Sequence, residues 1–292
     1  MKIACIVGGT SGIGKAIAYQ LARQDHSLDI IISGRNIEEG NKIVNDLKVL
    51  SPKRNHQFRQ IDAFLLSNIK NYCNNLKDDI KREKSSLKYL VLTQGIASIN
   101  GRTETPEGID QKLALHYYGR MLFINELLPV LNNQEHDDDV RVVSVLSGSV
   151  HSPYNQMKED PELKSNFSIV NAANAAGFYN DLMLDSFAQR NKNISFIHAA
   201  PGFVATNWGS EFPYVLKVLV RGLQVFGMSL EQCGVNMAHA LYDDKFRPKK
   251  DAPSFHVMKQ DGSIGSVTSG HSTENITFIS QHTIDMFNNK TR

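Results

Sequence analysis

Three features of this chain have residue types and spacing that could do chemistry. The first is Val7-Gly8-Gly9-Thr10-Ser11-Gly12-Ile13-Gly14, which follows an apolar run and opens a stretch of helical period. In that setting Gly8 can take a tight turn, Gly12 lets backbone approach a pyrophosphate and Gly14 lets helix pack on strand. Thr10, Ser11 and Ile13 lie between them, at a helix N-terminus that favours phosphate. The second is Arg35, in Ile31-Ile32-Ser33-Gly34-Arg35-Asn36. No carboxylate stands there to hold ribose hydroxyls, whereas a guanidinium can pair a 2′-phosphate by charge-assisted hydrogen bonds, which favours NADP(H); Arg35 also reads as a solvent residue at a helix start. The third is Ser147, which closes the run Arg141-Val142-Val143-Ser144-Val145-Leu146 at the strand end where parallel sheets place ligands. Ser147-Gly148-Ser149 also reads as a simple polar turn.

The elements that must position these residues follow from period. Short β-branched runs at 3–7, 29–33, 57–61, 89–93, 140–146, 195–199 and 255–258 predict strands. Periodic stretches at 15–23, 64–84, 107–131, 169–190 and 230–242 predict helices between them. Such alternation implies right-handed crossovers and a buried parallel sheet, a doubly wound α/β architecture of about seven strands with helices on both faces. Thr105-Pro106-Glu107 reads as a helix start, and Ser272-Thr273-Glu274 caps a terminal helix at about 272–288. The acidic run 135–139 reads as a solvated loop. No repeat or linker divides the sequence, so 1–292 is expected to be one domain.

Placed after the first strand, G-x-x-x-G-I-G resembles the nucleotide signature of the short-chain dehydrogenase/reductase family, and the resemblance runs from Lys2 to about Met258. It implies a Rossmann-type domain with strand order 3-2-1-4-5-6-7, often dimeric or tetrameric. It also implies cofactor contacts from Asn36, from Asp62 at the adenine ring, and from Gly95 in Thr93-Gln94-Gly95. Asp62 reads equally as a helix N-cap. Ala200-Pro201-Gly202-Phe203-Val204-Ala205-Thr206 is similar to the family's motif at the nicotinamide, which brings Pro201, Gly202 and Thr206 into the cofactor set.

The same resemblance places Ser147 at the position that polarises the substrate carbonyl. It places Asn171 and Ala175 where the family carries the Tyr and Lys that move the proton, so both groups are missing. The literal Tyr154-Asn155-Gln156-Met157-Lys158 falls seven residues after Ser147 and belongs to a loop. His116 occupies the family's Asn position. An imidazole titrates in the range an acid needs, so His116 and, by a similar claim, His151 are candidate proton sources; each also reads as a hydrogen-bonded core residue. Beyond the motif, Trp208 and an apolar stripe over about 208–228 stand where the family has its substrate lid, and suggest an apolar substrate or a subunit contact.

Composition narrows the classes. With 32 Lys+Arg against 30 Asp+Glu the chain is nearly neutral at +2, which argues against nucleic acid or anionic membrane as an obligatory partner. Cys5, Cys73 and Cys233 are far apart and in no C-x-x-C arrangement, so neither a disulfide framework nor a zinc site is expected and a reducing, cytoplasmic setting fits. Two functions stay open: an NADP(H)-dependent oxidoreductase on a carbonyl or alcohol with an atypical active site, or a cofactor-binding regulatory protein that has lost proton transfer. Another reaction on the same scaffold, such as epimerisation or dehydration, is not fixed by fold.

Overall fold

Strands buried on both faces should read as near-continuous apolar runs, and those runs form the sheet. The computed structural model describes residues 1–132, 139–205, 227–249 and 251–290. Strands β1 (Lys2–Val7), β2 (Leu28–Gly34), β3 (Gln57–Gln60), β4 (Ser86–Leu92), β5 (Val140–Val145), β6 (Ile194–Ala199) and β7 (Ser254–Met258) pair in parallel. Their order is β3-β2-β1-β4-β5-β6-β7, as expected. Connections leave in opposite directions from β1 and β4, and a crevice opens there beyond the C-terminal strand ends.

Helices α1 (Gly12–Gln24), α2 (Ile37–Leu50), α3 (Leu66–Arg82), α4 (Gln111–Leu113), α5 (Gly119–Asn132), α6 (Ile169–Arg190), α7 (Leu230–Tyr242) and α8 (Thr273–Lys290) cover the two faces. The alternation of side chains along each strand sorts the core. Ile3, Cys5 and Val7 of β1 pack toward α3, α5, α6 and α8. Ala4 and Ile6 pack toward α1, α2 and α7. The three cysteines are buried and free. Among the described residues no helix is long and apolar enough to cross a membrane.

Four local readings are corrected. Helix α2 was anticipated only as a helix start beside Arg35 and given no extent, because its buried stripe is short and opens on Gly40, where a Cβ would run into the Phe58 ring. Asn36 starts it, its Oδ1 accepting from the Glu39 amide at 3.0 Å. Thr105-Pro106-Glu107 forms a turn and not a helix start: the cap is Asp110, whose Oδ1 accepts from the Lys112 and Leu113 amides. Glu107 instead spans to α3 and accepts from Leu66 N at 2.7 Å and Ser67 N at 2.9 Å. A carboxylate therefore satisfies that helix N-terminus from a distant loop, while Asp62 only closes a local turn on Phe64 N.

The fourth correction concerns Asp139, which is not a solvated acid. It forms a two-pronged pair with the buried Arg141 guanidinium at 2.5 and 3.0 Å. Residues 133–138 lie outside the described residues, as do Thr206, Trp208 and nearly all of the stretch expected as a lid.

Candidate active site

The glycine turn has the shape its spacing predicts. Gly8 and Gly12 take φ of +84° and +53°, a region L side chains rarely adopt. A Cβ on Gly14 would stand 2.6 Å from the Gly8 carbonyl oxygen, and one on Gly8 would stand 2.6 Å from the Gln94 amide. Helix α1 begins with Ser11 as N-cap, and no side chain caps it, so its first amides face the crevice. Gly34 packs against Thr10, bringing the ends of β1 and β2 together. These residues fit a pyrophosphate, because the glycines let the turn, the loop after β4 and α1 approach closely and α1 begins without a side-chain cap.

Arg35 emerges at the end of β2, with its guanidinium over the Phe64 ring at 5.4 Å. Arg35 and Asp62 line an open cleft of about 830 Å³ between the ends of β2 and β3 and helix α3. Asp29, at the other end of β2, instead accepts from Asn55 N at 2.9 Å. Asn36 lends its side chain to the α2 cap, which leaves its main chain beside Arg35.

The loop after β4 is anchored by a group that the sequence reading missed. Arg120 is fully buried, and its guanidinium donates to the Gln94 carbonyl at 2.5 Å, the Val145 carbonyl at 2.8 Å and Ser144 Oγ at 2.9 Å. It ties the C-terminal ends of β4 and β5 together, and burial lowers its pKa to about 9. Ser144 in turn donates to Asn180 Oδ1 of α6, and Asn180 Nδ2 donates to the His116 carbonyl at 2.9 Å. That carbonyl is free to accept because residues Ala114–Tyr118 form a π turn, which releases it from the regular helical ladder.

His116 itself accepts the Ile96 amide at Nε2, 3.0 Å away, and Gly95 packs on the same nitrogen. Burial, then the charges of Arg120 and Lys112, lower its pKa to about 3. With Nε2 taken by that amide, His116 holds the loop as an acceptor.

Ser147 stands just past β5, and its Oγ is buried with no hydrogen-bond partner among the described residues. The Ser147 amide donates to His198 Nε2 at 3.1 Å, and its carbonyl accepts from His151 Nδ1 at 2.8 Å. Both imidazoles reach Asp181 of α6: His198 Nδ1 lies 2.5 Å from Oδ1, and His151 Nε2 lies 3.1 Å from Oδ2 as a contact not aligned as a hydrogen bond. The histidines lower the Asp181 pKa to about 2 against the opposing effect of burial, while burial holds His198 below its ordinary value. Gly177 makes room for this packing, since a Cβ there would sit 2.5 Å from Ser147 Oγ and 2.6 Å from His151 Cγ.

The comparisons with known proteins agree with this architecture. Residues 2–160 match the model of the short chain dehydrogenase family. An oxidoreductase of Emericella nidulans is 38% identical over 211 residues, which are 72% of this chain and 61% of that protein. The chain belongs to the short chain dehydrogenase family. Among solved structures, an angucycline C-6 ketoreductase with bound NADP aligns with a TM-score of 0.63 at 14% identity, covering 89% of this chain and 95% of that one. An NADPH-bound carbonyl reductase from chicken fatty liver aligns with a TM-score of 0.60 at 15% identity, covering 91% and 98%.

Asn171 and Ala175, which the resemblance leads one to expect in place of the Tyr and Lys of a short chain dehydrogenase, lie near the start of α6. Asn171 Nδ2 donates to the Asn166 carbonyl at 2.7 Å, and Ala175 is fully buried. The literal Tyr154 and Lys158 do not act together. Tyr154 is buried against Tyr179 with its pKa raised to about 12 by burial and nearby carboxylates, while Lys158 pairs at the surface with Glu274.

Pro201 and Gly202 follow β6, and Gly202 takes φ of +73° beside Gln260. Asp181, His198, Asn180 and Arg120 escaped the sequence reading. The available signal was a charged or polar residue inside a mostly apolar stretch, as His198 is in Ile194–Ala199.

Proposed function

We propose that the chain is an NADP(H)-dependent oxidoreductase that acts on the carbonyl or alcohol of a moderately apolar small molecule. The observation that carries this reading is the closed glycine turn at the head of α1, on the same sheet edge as Ser147. Gly8, Thr10, Ser11, Gly12, Ile13 and Gly14 would receive the pyrophosphate, Arg35 the 2′-phosphate with Asn36 beside it, and Asp62 the adenine end of the cleft. Gly95, Pro201 and Gly202 would border the nicotinamide, together with Thr206. When bound there, NADPH supplies hydride. Ser147 Oγ, which makes no hydrogen bond among the described residues, would turn to donate to the substrate oxygen.

Support for an apolar substrate comes from the rim of this edge. Ile99, Val150, Phe203, Ile264 and Val267 are exposed on the loops that follow β4, β5, β6 and β7. The β5 and β7 loops are joined there by Ser149 Oγ donating to the Ser266 carbonyl at 2.9 Å. Apolar side chains from four separate loops at one edge favour a ligand with apolar surface over scattered exposure.

Two measurements test the reading. In fluorescence titration NADPH should bind more tightly than NADH, and equal or tighter NADH binding would remove Arg35 from its role. In stopped-flow NADPH oxidation, aldehydes, ketones and quinones of increasing apolar surface should give turnover above background. A second reading is favoured by Asn171 and Ala175 at the dyad positions: a protein that binds the cofactor without turning it over. Tight NADPH binding with an unchanged nicotinamide across the whole panel would establish that reading instead.

A further inference from the structure

Three buried titratable groups converge on one residue. His151 comes from the loop after β5, Asp181 from α6 and His198 from β6, and their side chains are 2%, 0% and 0% exposed. The two imidazole rings stack 5.7 Å apart at 25°. Burying such a set is costly, and apolar residues of similar volume would pack there at no loss of stability. Their contacts are also selective: one imidazole takes the Ser147 amide and the other takes the Ser147 carbonyl. Ser149, two residues on, is held at φ of +65°, a strained setting that persists only where the surroundings over-determine the backbone. Gly148 permits the descent, since a Cβ there would collide with the His198 carbonyl.

We propose that His151, Asp181 and His198 are a positioning clamp that fixes the main chain of Ser147 from both sides and thereby aims its hydroxyl at the substrate oxygen. The proposal rests on the reductase reading above for what Ser147 does. The hydrogen-bond directions set the tautomers. The Ser147 amide needs a lone pair on His198 Nε2, so the His198 proton sits on Nδ1 and is donated to Asp181. The Ser147 carbonyl needs a proton on His151 Nδ1, and the ring's other nitrogen, Nε2, stands 3.1 Å from Asp181 Oδ2.

A proton added to His198 would set Nε2–H against the Ser147 N–H and open the clamp. The charged groups that face His198 are Asp181 from α6, which favours that proton, and His151 and the buried Arg120 of α5, which oppose it. Burial opposes it most, so the clamp stays closed at neutral pH and opens in acid.

The ligand atoms of the three residues lie within 4.8 Å of one another, a spacing that could also suit a divalent cation. A cation on His198 Nδ1 would leave Nε2–H facing the Ser147 amide, two donors in opposition, so the hydrogen bond from His198 Nδ1 to Asp181 fits this site better.

The test uses the full chain. Imidazole ¹H–¹⁵N spectra of the wild type at pH 7 should show His198 as the Nδ1–H tautomer. An Nε2–H tautomer, or one tightly bound metal ion per chain by elemental analysis, would overturn the clamp whether or not the protein turns over. If no carbonyl substrate reacts, the reductase reading fails while these spectra still decide the clamp.

With a reactive substrate, His198→Asn keeps a group for Asp181 but loses the acceptor for Ser147. It should lower kcat by about tenfold or more while leaving the NADPH dissociation constant unchanged. His198→Gln carries an oxygen near the Nε2 position, and should recover most of kcat and lose the acid limb of its pH profile. Wild-type kcat in His198→Asn, or equal impairment and the same acid limb in both variants, would overturn the proposal. Melting temperatures of the two variants exclude simple unfolding as the cause.

Discussion

The N-terminal and C-terminal halves of this sheet carry the same layered architecture but assemble their chemistry differently. Around β1 and β2 the functional geometry is local: Gly8, Gly12 and Gly14 lie within one turn, and Arg35 ends the next strand. Around β5 and β6 it is distributed: Ser147, His151, Asp181 and His198 come from three elements and span about fifty residues. A backbone cradle can be specified by a few adjacent glycines, because what it needs is room and amides. A buried charge cluster must be gathered, because each member is tolerable only beside the others.

The largest expected effect sharpens this contrast. Asp181→Ala would strand two buried imidazoles and should cost roughly 3–5 kcal/mol of stability, measured by urea denaturation. Gly8→Val would place a branched side chain at positive φ against the Gln94 amide and should abolish NADPH binding by fluorescence while the β5–β7 half stays folded. Gly177→Ala presses on Ser147 Oγ and His151; overpacking of this kind costs about 1–3 kcal/mol. Its turnover should fall with NADPH affinity retained, the reverse of Gly8→Val. If both glycine variants lost binding and turnover together, the two halves would not be separable.

Arg35→Ala should weaken NADPH by roughly ten- to a hundredfold, as expected for loss of a charge-assisted hydrogen bond, and leave NADH nearly unchanged. The smallest effect concerns His116. The folded chain keeps it neutral down to about pH 3, whereas an unfolded chain takes up that proton near pH 6.5. Its penalty is therefore absent above about pH 6.5 and grows as the pH falls toward 3. His116→Gln should flatten the acid slope of stability in pH-dependent melting; an unchanged slope would assign the acid sensitivity to other buried histidines such as His256, which burial lowers to about 4.

The legible parts of the molecule were those where local physics is decisive. Every expected strand appears; β1, β2, β5 and β6 leave the near-continuous apolar signature of a strand buried on both faces, whereas the edge strand β3 is polar and only half-buried. Helices 169–190 and 230–242 match their expected ends, each started by a serine whose hydroxyl accepts a backbone amide. Only the start of helix α2 was legible, because its short buried stripe opens on a glycine, and the π turn at Ala114–Tyr118 was lost because it departs from a 3.6-residue period. The start of α4 was misplaced because Glu107 spends its carboxylate on another helix altogether. Tyr154 and Lys158 lie in a loop, as expected: the spacing matches a motif, but one side chain enters the core and the other pairs at the surface.

By itself the sequence determined the parallel sheet, the strand ends, the glycine cradle and the position of Ser147, since each depends on residues close together in the chain. Only the tertiary structure decided that His116 is a depressed acceptor, that Arg120 binds three loop-end groups without a carboxylate, and that His151, Asp181 and His198 meet at Ser147. The reason is physical: ionisation and tautomer depend on burial and on partners brought from distant segments, and neither burial nor partnership is written in any local stretch of residues.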